Sequence, residues 1–139
     1  MFAVIGLGNL GSGIAARLVD TGHEVVGIDL SASARDSWAA TGSTAAADLG
    51  DVPWQDVSAV FVVVLLTSQV EETLARLKEL IGETGTERTV YIVSTLAADA
   101  AIRLKSSSTA KLRIVESPIS GGGAGARDGS LSVMLGGPV

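Results

Sequence analysis

The sequence of 139 residues contains no cysteine. Neither a disulfide framework nor a thiolate zinc site can form, no metal site is expected, and a reducing cytoplasm is the expected compartment. Aromatic side chains are scarce, at 4 % of residues, although 47 % of residues are hydrophobic. The core must therefore come from Val, Ile, Leu and Ala, which suits aliphatic strands between alanine-rich helices. Positive charge is in deficit: ten Lys plus Arg against fifteen Asp plus Glu give a net charge of -5. Such a chain lacks the cationic surface that neutralises phosphates along a nucleic acid, so nucleic acid is not an expected partner. Long hydrophobic runs are missing too. The longest, about residues 57–66, falls short of the roughly 20 residues that span a bilayer. The chain opens on Met1 to Gly6 without a cationic leader, and no membrane association is expected.

What remains is the length of one ordinary domain, residues 1–139, with aliphatic segments in regular alternation. Residues 1–5, 25–28, 59–66, 90–93 and 112–115 are apolar on both faces, the mark of strands buried in a parallel sheet. Between them, Leu10, Ile14 and Leu18 fall four apart, as do Val70 and Leu74 ahead of Leu77 and Ile81, and each set forms a helical stripe. Further helices are expected over 32–41, with Ser31 as cap, and over 97–108. Strand, helix, strand, helix implies right-handed crossovers: an α/β, doubly wound, mainly parallel sheet with helices on both faces. Residues 121–129 hold five glycines and are the one low-complexity stretch, and 131–135 is expected to return as a strand.

Gly6-Leu7-Gly8-Asn9-Leu10-Gly11 follows the first strand and opens the first helix, the context that a Gly-x-Gly-x-x-Gly motif requires. Gly6 permits the tight turn, Gly8 lets backbone approach a pyrophosphate, and Gly11 lets helix and strand pack closely. The free N–H groups and positive end of that helix would hold the anion. A glycine turn that binds nothing is the alternative. Asp29 ends the second strand eighteen residues after Gly11, where a carboxylate can accept hydrogen bonds from ribose hydroxyls and would repel a 2'-phosphate. No cation follows it before Arg35, so this Rossmann-type loop favours NAD over NADP. Aspartate at a strand end also serves as a turn residue, and FAD or S-adenosylmethionine sites use similar loops.

The loop is followed by Ala15, Ala16 and Leu18, by Ser94-Thr95, and by Glu116-Ser117-Pro118-Ile119-Ser120-Gly121-Gly122 leading to Gly129-Ser130-Leu131. Along essentially its whole length the sequence thereby resembles the beta-hydroxyacid dehydrogenase family, which includes 3-hydroxyisobutyrate, tartronate semialdehyde and 6-phosphogluconate dehydrogenases. Ser68-Gln69-Val70-Glu71 is similar to the L-threonate branch. The resemblance implies an NAD-binding domain of an oxidoreductase that transfers a hydride between the cofactor and a small 3-hydroxy acid. It implies that Ser120, Gly121 and Gly122 bind the substrate's carboxylate and hydroxyl, and that Ser94 and Thr95 lie beside the nicotinamide. Leu65 and Leu66 stand where the family has a cofactor-contacting Leu-Pro, and Leu10 stands where it usually has Met. The family's catalytic lysine belongs to a helical domain not found in this sequence, through which the full-length protein is expected to homo-oligomerise. The chain alone is therefore expected to be inactive.

Read from the residues alone, Ser120-Gly121-Gly122 offers successive unhindered N–H groups for a small anion, or a flexible connection between strands. Ser94 and Thr95 fall at the carboxyl rim of the sheet, where open parallel sheets bind ligands, and could also cap the helix that follows. His23 lies at the opposite rim and is expected to be a turn residue, while Trp38 and Trp54 are expected to pack. The three lysines, Lys78, Lys105 and Lys111, all fall toward that opposite rim. A short-chain dehydrogenase would need Lys four residues after Tyr, but Tyr91 is followed there by Thr95. Imine reduction on a related scaffold, and an NAD-sensing module without chemistry, are the remaining alternatives.

Overall fold

The aliphatic strands assemble as their two-sided hydrophobicity requires. In the computed structural model, which describes residues 1–82 and 86–136, β1 (Phe2–Ile5) is flanked on both edges by parallel neighbours, β2 (Val25–Ile28) and β4 (Ala59–Val62). The main sheet continues outward to β3 (Thr44–Ala46) on one side and to β5 (Arg88–Ile92) and β6 (Leu112–Glu116) on the other. Its order is β3-β2-β1-β4-β5-β6, every pairing parallel. This is the doubly wound Rossmann arrangement, with its switch of direction between β1 and β4.

Alternation along each strand feeds two cores. Ala3, Ile5, Val60, Val62, Val90 and Ile92 are buried in one core with Val70, Leu74 and Leu77 of α3 (Thr67–Ile81) and Leu104 of α4 (Ala98–Lys105). Val4 and Val25 are buried in the other with Ala15 of α1 (Asn9–Asp20) and Trp38 of α2 (Ala32–Ala39). Both tryptophans pack as expected, and each indole N–H finds a carbonyl, Thr44 at 2.9 Å for Trp38 and Leu49 at 2.8 Å for Trp54. Ser31 caps α2, accepting from the Ala34 N–H. His23 is exposed at the amino edge, its ring 4.8 Å from that of Phe2. Among the described residues no helix is long and apolar enough to cross a membrane.

The structure departs from the sequence reading at several elements, among them α2, which ends at Ala39 and not at residue 41, and the unforeseen β3. The apolar run at 59–66 stops being strand at Val62, because the chain must turn at the sheet's rim to enter α3. The helix expected over 97–108 is confined to Ala98–Lys105. The strand expected over 131–135 is reduced to β8 (Ser132–Val133), which pairs antiparallel with β7 (Ile119–Ser120) in a separate two-stranded ribbon. Most consequential, the glycine-rich stretch is a helix, α5 (Gly122–Asp128), packed on α1. Glycine disfavours a helix in isolation. Here the absent side chains let two helices approach closely: a methyl group on Gly13 of α1 would lie 2.9 Å from the Ala126 side chain and from the Gly123 carbonyl.

Candidate active site at the carboxyl rim

The loop between β1 and α1 is shaped by what surrounds its glycines. Gly6 adopts φ +95°, and any side chain there would overlap the Val63 carbonyl of the neighbouring turn. Gly11 is buried against the Gly6 carbonyl and Val63. Gly8 differs: a β-carbon built on it meets nothing within 4 Å. It is the N-cap of α1, it has no side chain to satisfy the helix's first N–H groups, and the first turn carries no acidic residue. Those N–H groups, with the positive end of the helix, are left for an anion arriving from the open side of Gly8 and Asn9.

Asp29, at the end of β2, is tied into the same loop. One carboxylate oxygen accepts from the Leu7 N–H at 2.7 Å and the other from the Ser31 N–H at 2.8 Å. Each oxygen keeps a further lone-pair direction for a ligand hydroxyl. Arg35 reaches back from α2, and its Nη1 donates to the carbonyls of Asp29 and Leu30, both at 2.8 Å. The segment after β2 is thus held from two sides, with Leu30 projecting at 89 % exposure.

The turn after β4 is held in a comparable way. The Ser94 hydroxyl donates to the Val64 carbonyl at 2.6 Å and accepts from the Val64 N–H at 3.0 Å. Gln69 Oε1 accepts from the N–H groups of Leu65 and Leu66. Leu65 and Leu66 are consequently presented to solvent on a fixed backbone, Leu65 at 93 % exposure. Ser94 therefore orders the rim, and Thr95 beside it is exposed. Neither caps α4, whose N-cap is Ala97.

The decisive juxtaposition comes from the glycine-rich helix. A methyl group on Gly123 would sit 2.6 Å from the Asn9 amide, the Ala126 side chain faces Gly13, and Gly129 abuts the Arg17 guanidinium. Contacts that advance together along both helices mean that α1 and α5 run parallel, with their N-termini at one end. Gly6–Gly11 and Ser120-Gly121-Gly122 are thereby neighbours on one rim. Ser120, Gly121 and Gly122 are exposed, and the two glycines take φ of +128° and +61°, values an L side chain rarely adopts. The concavities at the other edge hold none of these residues. One of about 140 Å³ is lined by Phe2, His23 and Glu24, and one of about 460 Å³ by Lys78, Thr109 and Lys111.

The whole chain, residues 1–139, matches the family described as the NAD binding domain of 6-phosphogluconate dehydrogenase. The chain belongs to this family. As an NAD-binding domain of the 6-phosphogluconate dehydrogenase type, it is 31 % identical over 135 residues to mitochondrial 3-hydroxyisobutyrate dehydrogenase of Drosophila melanogaster, covering 96 % of this chain and 40 % of that protein. It is 32 % identical over 136 residues to L-threonate dehydrogenase of Haemophilus influenzae, covering 97 % and 45 %. The structure of 3-hydroxyisobutyrate dehydrogenase from Salmonella typhimurium superposes with a TM-score of 0.84 at 27 % identity, over 96 % of this chain and 47 % of that one. The chain thus spans under half the length of these relatives.

The residues present fit a nicotinamide dinucleotide: an uncapped helix N-terminus open at Gly8, a carboxylate at the end of β2, and apolar side chains projecting at Leu30 and Leu65. Sequence reasoning missed Leu30 and the clamp made by Arg35. The first carries no motif, and the second depends on a helix turning a side chain back over the strand end. The placement of Arg35 six residues after Asp29 was visible, but not its bond to the carbonyls.

Proposed function

We propose that residues 1–139 are the dinucleotide-binding domain of a hydroxyacid dehydrogenase, binding NAD in preference to NADP and a small 3-hydroxy acid beside it. The observation that carries this reading is the parallel packing of α1 on α5, which brings the phosphate loop and the Ser-Gly-Gly turn to one rim. Gly8, Asn9 and Leu10 would receive the pyrophosphate on backbone N–H groups. Asp29 would accept from the adenosine ribose, and Leu30 with Leu65 and Leu66 would cover apolar faces of the cofactor. Ser94 would hold the rim turn in place, and Thr95 would lie toward the nicotinamide.

When bound, the cofactor supplies the hydride acceptor. This chain's part is to bind and orient: the Ser120 hydroxyl can both donate and accept toward a hydroxy acid, and the N–H groups at Gly121 and Gly122 suit its carboxylate. Preference for NAD follows from electrostatics, because Asp29 meets a 2'-phosphate with like charge while the Arg35 Nη1 is already engaged by two carbonyls. Lys78 and Lys111 line a concavity at the opposite edge, so neither serves as a proton-transfer group for a substrate at Ser120. A placed acid or base typically contributes about a hundredfold to ten-thousandfold in rate. We therefore assign that group, and the contacts between copies, to a further helical part of the longer enzyme.

Two assays test the reading. Fluorescence titration should give tighter binding for NADH than for NADPH, and equal affinities or tighter NADPH would overturn the preference. NADH formation by the purified chain with 3-hydroxyisobutyrate, L-threonate and similar acids should stay at background. Robust turnover would show that the chain carries its own proton-transfer group.

A further inference from the structure

The phosphate loop contains no cation of its own, and the chain as a whole carries a net charge of -5. A dianionic diphosphate would gain from a positive charge at this end of α1. One is available from the other end of the sequence. Arg127 lies in the last turn of α5, and long helical side chains lean toward the N-terminus of their own helix. Because α5 runs parallel to α1, that lean carries the guanidinium back to the start of α1. Its Nη2 donates to Asn9 Oδ1 at 3.3 Å and its Nη1 to the Gly123 carbonyl at 3.4 Å.

Both acceptors are neutral. Among the described residues the ion pairs join Arg76 to Glu79 and Arg103 to Glu71 and Asp99, and none involves Arg127. The charge is uncompensated, and each terminal nitrogen retains a second donor. Asn9 is the first residue of α1, next to the open side of Gly8, and it is held between Arg127 and the Gly123 backbone. The guanidinium is therefore fixed to the loop that would take the diphosphate, and its planar donor set matches phosphate oxygens.

We propose that Arg127 is a binding residue for the cofactor's diphosphate, delivered to the glycine loop by α5 and anchored there through Asn9. The inference rests on the cofactor reading above. The competing role is that of a structural peg between α5 and α1, and the two roles differ in their response to salt and to the ligand's charge.

The test is titration calorimetry on the 139-residue chain with ADP-ribose, which carries the diphosphate, and with adenosine, which does not. Arg127→Met keeps an apolar stem and removes the charge. It should weaken ADP-ribose about fivefold at low salt, as befits a partly exposed charge contact, and leave adenosine unchanged. The difference should fade near 1 M salt, where the screening length drops to about 3 Å. Arg127→Lys should recover most of the loss, and Asn9→Ala, which frees the guanidinium without removing it, should show a smaller loss with the same salt dependence. Unchanged ADP-ribose affinity in Arg127→Met would overturn the proposal. So would an equal loss for both ligands at both salt concentrations, with a lowered unfolding midpoint, which is the signature of a peg. A wild-type chain that binds neither ADP-ribose nor NADH would instead overturn the cofactor reading itself.

Discussion

Gly8→Val separates the cofactor loop's function from its folding. Gly8 has φ -61° and ψ -174°, extended values that a branched residue adopts freely, and a β-carbon there meets nothing within 4 Å. The substitution should lower the unfolding midpoint of the free chain by no more than roughly 3 °C, since the added β-carbon touches nothing and a branched residue gives up only the modest advantage of glycine at an N-cap, about 1 kcal/mol. The added side chain nevertheless occupies the space from which a pyrophosphate reaches the first N–H groups of α1. Wild-type chain at a cofactor concentration one hundred times its Kd gains about 2.7 kcal/mol. For a chain of this size, each kcal/mol raises the midpoint by roughly 3 °C, so the expected shift is roughly 8 °C. Gly8→Val should lose nearly all of it. Scanning calorimetry with and without NAD reads both quantities on one sample. A variant with a normal midpoint that still gains several degrees from NAD would refute the assignment of the loop.

Asp29→Ser should narrow the preference for NADH over NADPH, measured as a ratio of Kd values by fluorescence titration, and an unchanged ratio would remove the carboxylate from the specificity argument. Arg88 is buried, and its guanidinium donates to the carbonyls of Trp54, Val57 and Thr86. Arg88→Met should therefore cost about 3 kcal/mol in urea unfolding by leaving buried acceptors unpaired, and a loss under about 1 kcal/mol would contradict that account. The Arg103 side chain beside Asp99 holds that carboxyl below its ordinary value. The pair's contribution should be present at neutral pH and vanish as pH falls through the depressed value. Asp99→Asn should thus match the wild type in strong acid and fall slightly below it at pH 7. A difference that grows toward acid would reverse the sign of this coupling.

How much could be read from the sequence depended on whether the signal was local. The glycine loop, the acid at the end of β2 and the two-sided strands are contiguous in the chain, and each appears in its expected place, although the run at 59–66 is strand only as far as Val62. β3 was not visible because Thr44-Ala45-Ala46 is a short edge strand without an aliphatic run. α5 was not visible for a different reason: its glycines lower helix propensity, and what stabilises it is close contact with Gly13 and Asn9, more than a hundred residues earlier. Ser94 could be placed at the rim from its position after a strand. The engagement of its hydroxyl with Val64 depends on two adjacent turns meeting in space. Arg127 had no motif at all, since its partner Asn9 is 118 residues away.

The central claim is that the glycine loop and the Ser-Gly-Gly turn form one site on the carboxyl rim. Backbone amide NMR of the chain, titrated first with NAD and then with 3-hydroxyisobutyrate, tests it most directly. NAD should shift the amides of Gly6 to Ser12 and of Asp29 to Ser31, and the hydroxy acid should then add shifts at Ser120 to Gly123. Shifts gathered instead around His23 and Glu24, or around Lys78 and Lys111 at the amino edge, would contradict the account.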